Sequence, residues 1–206
     1  MYNHHHKKRR LDHKIIIDAV LKHELDRYSM SSVANDLSVD MASLYRYYHN
    51  KDEVTRECVQ LLLYGMDLDF DPSDSWQTML RTFSTEFNKV CKQRPDLATV
   101  FVKNPLMNQY LKPTLVRIGK RMMKAGFTQE KATCIIHMLI DTIVTTNHQM
   151  RWFTCKDDKN ESGIEAVMRE YSRYDLIHPR ILMENEMFFE QKIAFIFEYA
   201  NKTLFS

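Results

Sequence analysis

The sequence predicts an all-α protein, and three features carry that expectation. Glycine and proline are scarce, four and five in 206 residues; sheet turns and loops draw on both, so their scarcity favours long helices. Apolar positions recur at helical spacing along almost the whole chain. The thirteen methionines point the same way, because unbranched side chains lose little rotamer freedom in a helix. The length allows one sizeable core, or a small module fused to a larger one.

A hydrophobic share of 44% and a charged share of 27% are those of an ordinary soluble globular chain. The net charge of +2 says little about partners, but its distribution says more. His4, His5 and His6 precede Lys7, Lys8, Arg9 and Arg10, with Lys14 close behind. The four cations read either as an electrostatic hook for phosphate or as a solvated tail; the histidines read as tail. Cys58, Cys91, Cys134 and Cys155 have no C-x-x-C spacing, and three lie in apolar helical surroundings where a cysteine is usually a small core residue. No metal, cofactor or disulfide is expected, which suits a cytoplasmic protein. No membrane-length apolar run is present, so no membrane partner is expected.

The elements follow in order. A first helix is expected over Asp12–Leu25, then two short ones over Ser31–Leu37 and Met41–Tyr48, separated by Ser38, Val39 and Asp40. A fourth opens at Asn50, an N-cap with Glu53 placed to complete a capping box, and is expected to reach Asp69. Phe70 to Asp74 breaks the pattern. Further helices are expected over Ser75–Arg94, up to Lys124, from Thr128 to Phe153, over Ile164–Tyr174 and over Pro179–Leu204. Pro95 and Pro105 interrupt a less regular region, with Asn104 a cap and Pro105 at a first helical position.

Two short helices joined by a tight turn form a helix-turn-helix candidate. The second helix of such a pair packs one face inward and offers small or polar side chains to the major groove. Val39 and Leu44 supply the anchors, and Ala34 is small where the helices approach. Asp40, Met41, Ala42, Ser43, Tyr45 and Arg46 remain for the groove and its phosphate walls.

The run from Leu37 to Val54, with Leu44-Tyr45, an aromatic stretch and Asn50-Lys51, resembles the hallmark of TetR-type (tetracycline-repressor-like) regulators. The resemblance extends upstream through Ala19, Met30, Val33 and Ala34, and more weakly downstream through Trp76, Leu80, Gly126 and the last helix. Ser38 departs from it by replacing the usual glycine, and the connection at Asp26-Arg27-Tyr28 is short. The resemblance implies that Tyr45 and Lys51 grip phosphates flanking the groove, that Ser29 and Ser31 start the second helix beside the DNA backbone, and that Met41, Ala42 and Ser43 face bases. Asp40 is expected to cap its helix. Its implied organisation is a basic arm at 1–11, a three-helix DNA-binding module at 12–50, a connecting helix at 51–70, and a C-terminal helical bundle at 71–206 for ligand binding and dimerisation. Its implied partners are double-stranded DNA carrying a palindromic operator, a small-molecule effector and a second copy of the chain.

His137, Asp141, Thr145 and His148 share one face of a helix that is otherwise apolar. Either His137 and Asp141 satisfy each other, within a protomer or across a dimer interface, or the face lines a pocket for a polar or cationic ligand. Phe83, Phe87, Phe101 and Tyr110, with Met79 and Met107, are candidate pocket walls, while Trp76 reads as core. The resemblance places Asp67, Phe83, Phe87, Phe101, Asn104 and Asp141 at ligand-contacting positions. Phe101 and Asp141 stand there in place of the two histidines that recognise magnesium-bound tetracycline, so a different, largely apolar or aromatic effector is expected. No Gly-rich phosphate loop, H-E-x-x-H or nucleophile–base signature points to an enzyme. A repressor released by its effector is the leading expectation; a dimeric helical adaptor that has lost specific DNA binding is the alternative.

Overall fold

The computed structural model describes residues 11–157, 160–171 and 186–204. Within them the structure is helical, with one isolated bridge between Lys156 and Ser162. The chain divides into two compact units, at Leu61 and Leu62.

The N-terminal unit begins with α1 (His13–Val20), capped by Asp12, whose Oδ1 accepts from the Ile15 amide at 2.8 Å. The helix stops short of the expected Leu25. At 3.6 residues per turn, Leu25 would lie about 180° from Ile16 on a continuous helix, yet both are buried. The backbone therefore leaves the helix after Val20 and folds Leu25 and Tyr28 back into the same core.

Helix α2 (Met30–Asp36) opens with reciprocal bonds between Ser29 and Ser32, a capping box built from two serines. It ends in a Schellman turn: the Ser38 amide donates to the Asn35 carbonyl and the Val39 amide to the Ala34 carbonyl, both at 3.0 Å. That turn needs a left-handed residue, and Ser38 supplies it at φ 52°. A serine thus closes the turn where glycine would do so without steric cost. Helix α3 (Met41–Tyr45) follows at once. The expected last turn to Tyr48 is absent as α-helix, and the Tyr47 and Tyr48 amides both return to the Leu44 carbonyl.

Helix α4 (Lys51–Tyr64) is started by Asn50, whose Oδ1 accepts from the Glu53 amide at 2.9 Å. The Glu53 carboxylate reaches back to the His49 amide, one residue before the position expected, and that bond holds its carboxyl below the usual range. The helix ends at Tyr64, short of Asp69, with Gly65 after it. Val33, Leu44, Val54, Cys58 and Val59 complete a closed core with Ile16 and Val20.

The C-terminal unit contains α5 (Trp76–Gln93), α6 (Pro95–Lys103), a 3₁₀ segment (Pro105–Leu111), α7 (Lys112–Lys124), α8 (Gln129–Thr154), α9 (Gly163–Tyr171) and α10 (Glu186–Leu204). Pro95 opens α6 rather than interrupting the region, because a first helical position needs no amide donor. Residues 172–174 and 179–185, expected as helix, lie outside the described residues. Helix α7 ends in a second Schellman turn, with Gly126 at φ 108° and the Phe127 amide returning to the Met122 carbonyl. Thr128 then caps α8.

Helix α8 packs against α5, α6, α7, α9 and α10, so it is the spine of this unit. Ile135, Leu139 and Ile143 are fully buried on it. Its inner face also carries polar groups, each with an identified partner. Asn147 donates Nδ2 to Asn88 Oδ1 and to the Ile143 carbonyl, both at 2.8 Å, and Arg151 Nη1 reaches Thr99 Oγ1 at 2.8 Å. Helix α10 is pinned to α8 by Lys131 Nζ on the Thr203 carbonyl and by Lys192 Nζ on Thr146 Oγ1, each 3.0 Å. Of the cysteines, Cys58 and Cys91 are core residues, and burial pushes the Cys91 thiol up to about 12. Cys134, expected in apolar surroundings, is exposed.

Two stability predictions follow from these contacts. Left-handed backbone costs a non-glycine residue about 1–2 kcal/mol, part of it offset by glycine's greater freedom in the unfolded chain. Ser38→Gly is therefore expected to stabilise the N-terminal unit by about 1 kcal/mol in urea denaturation; a loss of stability would mean that the serine side chain itself holds the turn. Asn147→Ala leaves the buried Asn88 carbonyl unpaired and is expected to cost about 1–3 kcal/mol in the same measurement. An unchanged midpoint would show that the pair contributes nothing.

Candidate nucleic-acid interface and ligand groove

On the N-terminal unit, α3 turns Leu44 inward and leaves Met41, Ala42, Tyr45 and Arg46 exposed, Met41 at 40% and Tyr45 at 45%. This division follows from the helical period: the buried anchor sits three residues beyond Met41, and the outward positions flank it. Asp40, the acid on this short helix, is committed to capping, since its Oδ1 accepts from the Ser43 amide at 2.6 Å. The carboxylate charge therefore meets the positive end of α3 instead of standing unsupported on the outer face. Ser43 is half-buried and receives Arg46 Nη2 on its hydroxyl at 3.4 Å.

Around this face the sequence-derived residues fall as follows. Ser29 and Ser31 are exposed at the start of α2, with their hydroxyls 2.9 Å apart. Lys51 begins α4, and its ammonium lies 4.5 Å from the centre of the Tyr28 ring. Tyr28 also donates its hydroxyl to the Lys51 carbonyl at 2.9 Å and shares a bond with Thr55. The start of α4, and with it the base of the Lys51 side chain, is thus fixed from below by a buried tyrosine. Burial pushes that phenol well above its ordinary range, so it stays a neutral donor. Tyr28 had no role in the sequence reading. With Asp26 and Arg27 it marked only a short connection, and the contact to Lys51 spans elements. Tyr47 and Tyr48 turn away from the outer face: Tyr47 donates to the Leu11 carbonyl at 2.5 Å, and Tyr48 donates to Glu57 at 2.7 Å from the core.

The ligand candidates of the C-terminal unit do not converge on one cavity. Phe83, Phe87 and Phe101 are buried and pack on one another, Phe83 to Phe87 with centroids 5.6 Å apart and Phe87 to Phe101 at 5.5 Å. Asp67 is exposed beside a shallow surface depression near Arg81 and Glu86. Asn104 caps the 3₁₀ segment through the Leu106 amide, and Tyr110 is half-buried within that segment. His148 is tied to Thr99 Oγ1 at 3.1 Å. Asp141 and Thr145, expected on a buried face, are exposed, and Thr145 bonds the Asp141 backbone carbonyl rather than the carboxylate. No bond joins His137 to Asp141 among the described residues.

His137 instead lines a groove of about 520 Å³ between α8 and the segment from Asn108 to Met123. Its floor is apolar, from Leu115, Val116, Ala132, Ile136 and Ile140, and Lys112 and Lys120 stand at its edge. Elsewhere on α8 and α10 large apolar side chains are exposed, Met138 at 40%, Trp152 at 52%, Tyr199 at 44% and Phe195 at 75%. No described helix is long and apolar enough to cross a membrane.

No protein-family model matches the sequence, and a search of curated proteins finds no match. Solved structures do match in shape. The TetR-family protein ActR of Streptomyces coelicolor, solved in complex with actinorhodin, aligns with a TM-score of 0.66 at 16% identity, over 93% of this chain and 99% of that one. A candidate transcriptional regulator from Streptomyces coelicolor A3(2) aligns at 0.62 with 19% identity, over 95% and 99%. A further TetR-type transcriptional regulator of Streptomyces coelicolor aligns at 0.61 with 13% identity, over 94% and 97%. In its described residues the chain has the all-helical fold of these TetR-family transcriptional regulators.

Proposed function

We propose that this chain is a DNA-binding transcription regulator of the TetR type, working as a homodimer and released from a palindromic operator by a small effector. The outward face of α3 is the observation that carries the reading. Its exposed residues are Met41, small Ala42, Tyr45 and cationic Arg46, its acid is spent on a cap, and a lysine stands at the N-terminus of the next helix. Met41 and Ala42 suit contact with thymine methyl groups, and Ser43 tolerates several bases. Tyr45, Arg46 and Lys51 suit the flanking phosphates, aided by the positive end of α4.

Dimerisation is supported by the exposed large apolar side chains of α8 and α10. A second copy would cover Trp152, Phe195, Met138 and Tyr199 in a four-helix contact. Two copies related by a twofold axis would present two α3 helices to two half-sites, which is the reason for expecting a palindrome. Release requires the effector to favour a conformation that does not bind DNA, since equal affinity for both conformations shifts nothing. The effector belongs to the C-terminal unit, and α4 carries the chain from one unit into the other.

The test is selection of bound fragments from a random duplex library, repeated with Tyr45→Ala and Lys51→Ala. One enriched palindrome is expected, with affinity for it reduced in both variants. Removing Lys51 should also lower the slope of log affinity against log salt by about one per protomer. If no sequence is enriched and residual binding survives both substitutions, the adaptor reading replaces this one.

A further inference from the structure

From the groove between α7 and α8 we infer the chemical class of the effector: an amphipathic organic anion, with an apolar body and one acidic head group. This rests on the reading of the C-terminal unit as the sensing half of the regulator. The groove's volume, about 520 Å³, is in the range of pockets that hold small organic ligands. Its lining includes Lys112 and Lys120 but no aspartate or glutamate. Asp141, whose face was read as a place for a polar or cationic ligand, does not line it, and neither does Asp67.

The two helices run in opposite directions, because only the short turn through Ala125, Gly126 and Phe127 joins them. The start of α7 therefore lies beside the middle of α8. With Gly119 set against Ile136, His137 lies nearer Lys120, while Asn108 and Gln109 immediately precede Lys112. One end of the groove thus collects an ammonium and two amides. An acidic head group at this end pairs with the Lys112 ammonium and accepts from the side-chain amides. Lys120 lies about 12 Å along α7, too far to share the same head group.

Gly119 supplies the second line of support. It sits in the interior of α7, where glycine is unfavourable relative to alanine. Its backbone does not need glycine, since φ is not positive, and an added Cβ would meet the Ile136 side chain at an ordinary 3.7 Å. What glycine provides is empty space over the groove floor. A longer side chain at this position would occupy the place of the ligand's body.

The experiment uses the full chain without DNA and two fluorescent probes of similar shape: anilinonaphthalene sulfonate, an anion, and the neutral phenylnaphthylamine. Saturable sulfonate binding is expected at one site per protomer. Lys112→Glu should weaken the sulfonate at least about tenfold while changing the neutral probe by less than about twofold. Gly119→Phe should abolish binding of both, and Gly119→Ala should bind more weakly without lowering the melting temperature. Lys112 is exposed, so its variant reports on the groove even if Gly119→Phe fails to fold. The inference is overturned if the sulfonate shows no saturable binding, if Lys112→Glu affects both probes equally or neither, or if folded Gly119→Phe binds as before. Because no DNA is present, failure here leaves the operator selection intact, and failure of the selection leaves probe binding to be read by itself.

Discussion

The first amide groups of every helix lack a partner inside it, and a chain built almost wholly of helices must meet that deficit repeatedly. This one does so with short polar side chains. Asp12, Ser29, Asp40, Asn50, Ser75, Asn104 and Thr128 each accept a bond from an amide in the turn that follows. Two Schellman turns, at Ser38 and Gly126, satisfy carbonyls at the other end. These caps set where each helix starts and stops. The exposed face of α3 depends on them most directly: α3 has five residues, too few to persist without fixed ends.

The turn at Ser38 shows how local chemistry reaches function. The chain must turn between α2 and α3 within four residues, Leu37 to Asp40, and a left-handed residue is the compact way to do so. Serine accepts that conformation at a cost, which the packing of Val33, Ala34 and Leu44 offsets. The spacing between α2 and α3 is therefore held by a strained turn locked under a well-packed core. In the C-terminal unit α8 has the corresponding place. Its inner face carries the core and the Asn88–Asn147 and Thr99–Arg151 bonds. Its outer face carries exposed Met138 and Trp152, and one edge borders the groove.

Much of the fold was legible in the sequence because caps and periodicity are local. Ser75, Asn104 and Thr128 marked helix starts, and Gly126 marked an end. Asp40 was readable as a cap because an unpaired acid would otherwise face phosphate. The end of α1 was not legible: helical propensity continues through Leu25, and only the need to bury Leu25 beside Ile16 stops the helix. Pro95 was ambiguous, since proline both breaks helices and opens them. The ligand region was the least readable. Phe83, Phe87 and Phe101 have the pattern of core and of pocket wall alike, and packing against one another distinguishes the two. Asp141 has a helical spacing to His137, but α8 meets neighbours on several sides, so spacing alone does not say which face is outside. The groove itself joins Gly119 on α7 to Ile136 on α8, a contact no single-helix pattern contains.

The central claim is that α3 reads the major groove as one of a symmetric pair. Methylation interference on a selected duplex addresses it most directly, because guanine N7 is exposed only in that groove. The account predicts that methylating guanines in two symmetric half-sites abolishes binding, while a minor-groove ligand covering the same sites leaves it largely intact. Binding that tolerates N7 methylation throughout the site, yet is lost to the minor-groove ligand, would contradict it.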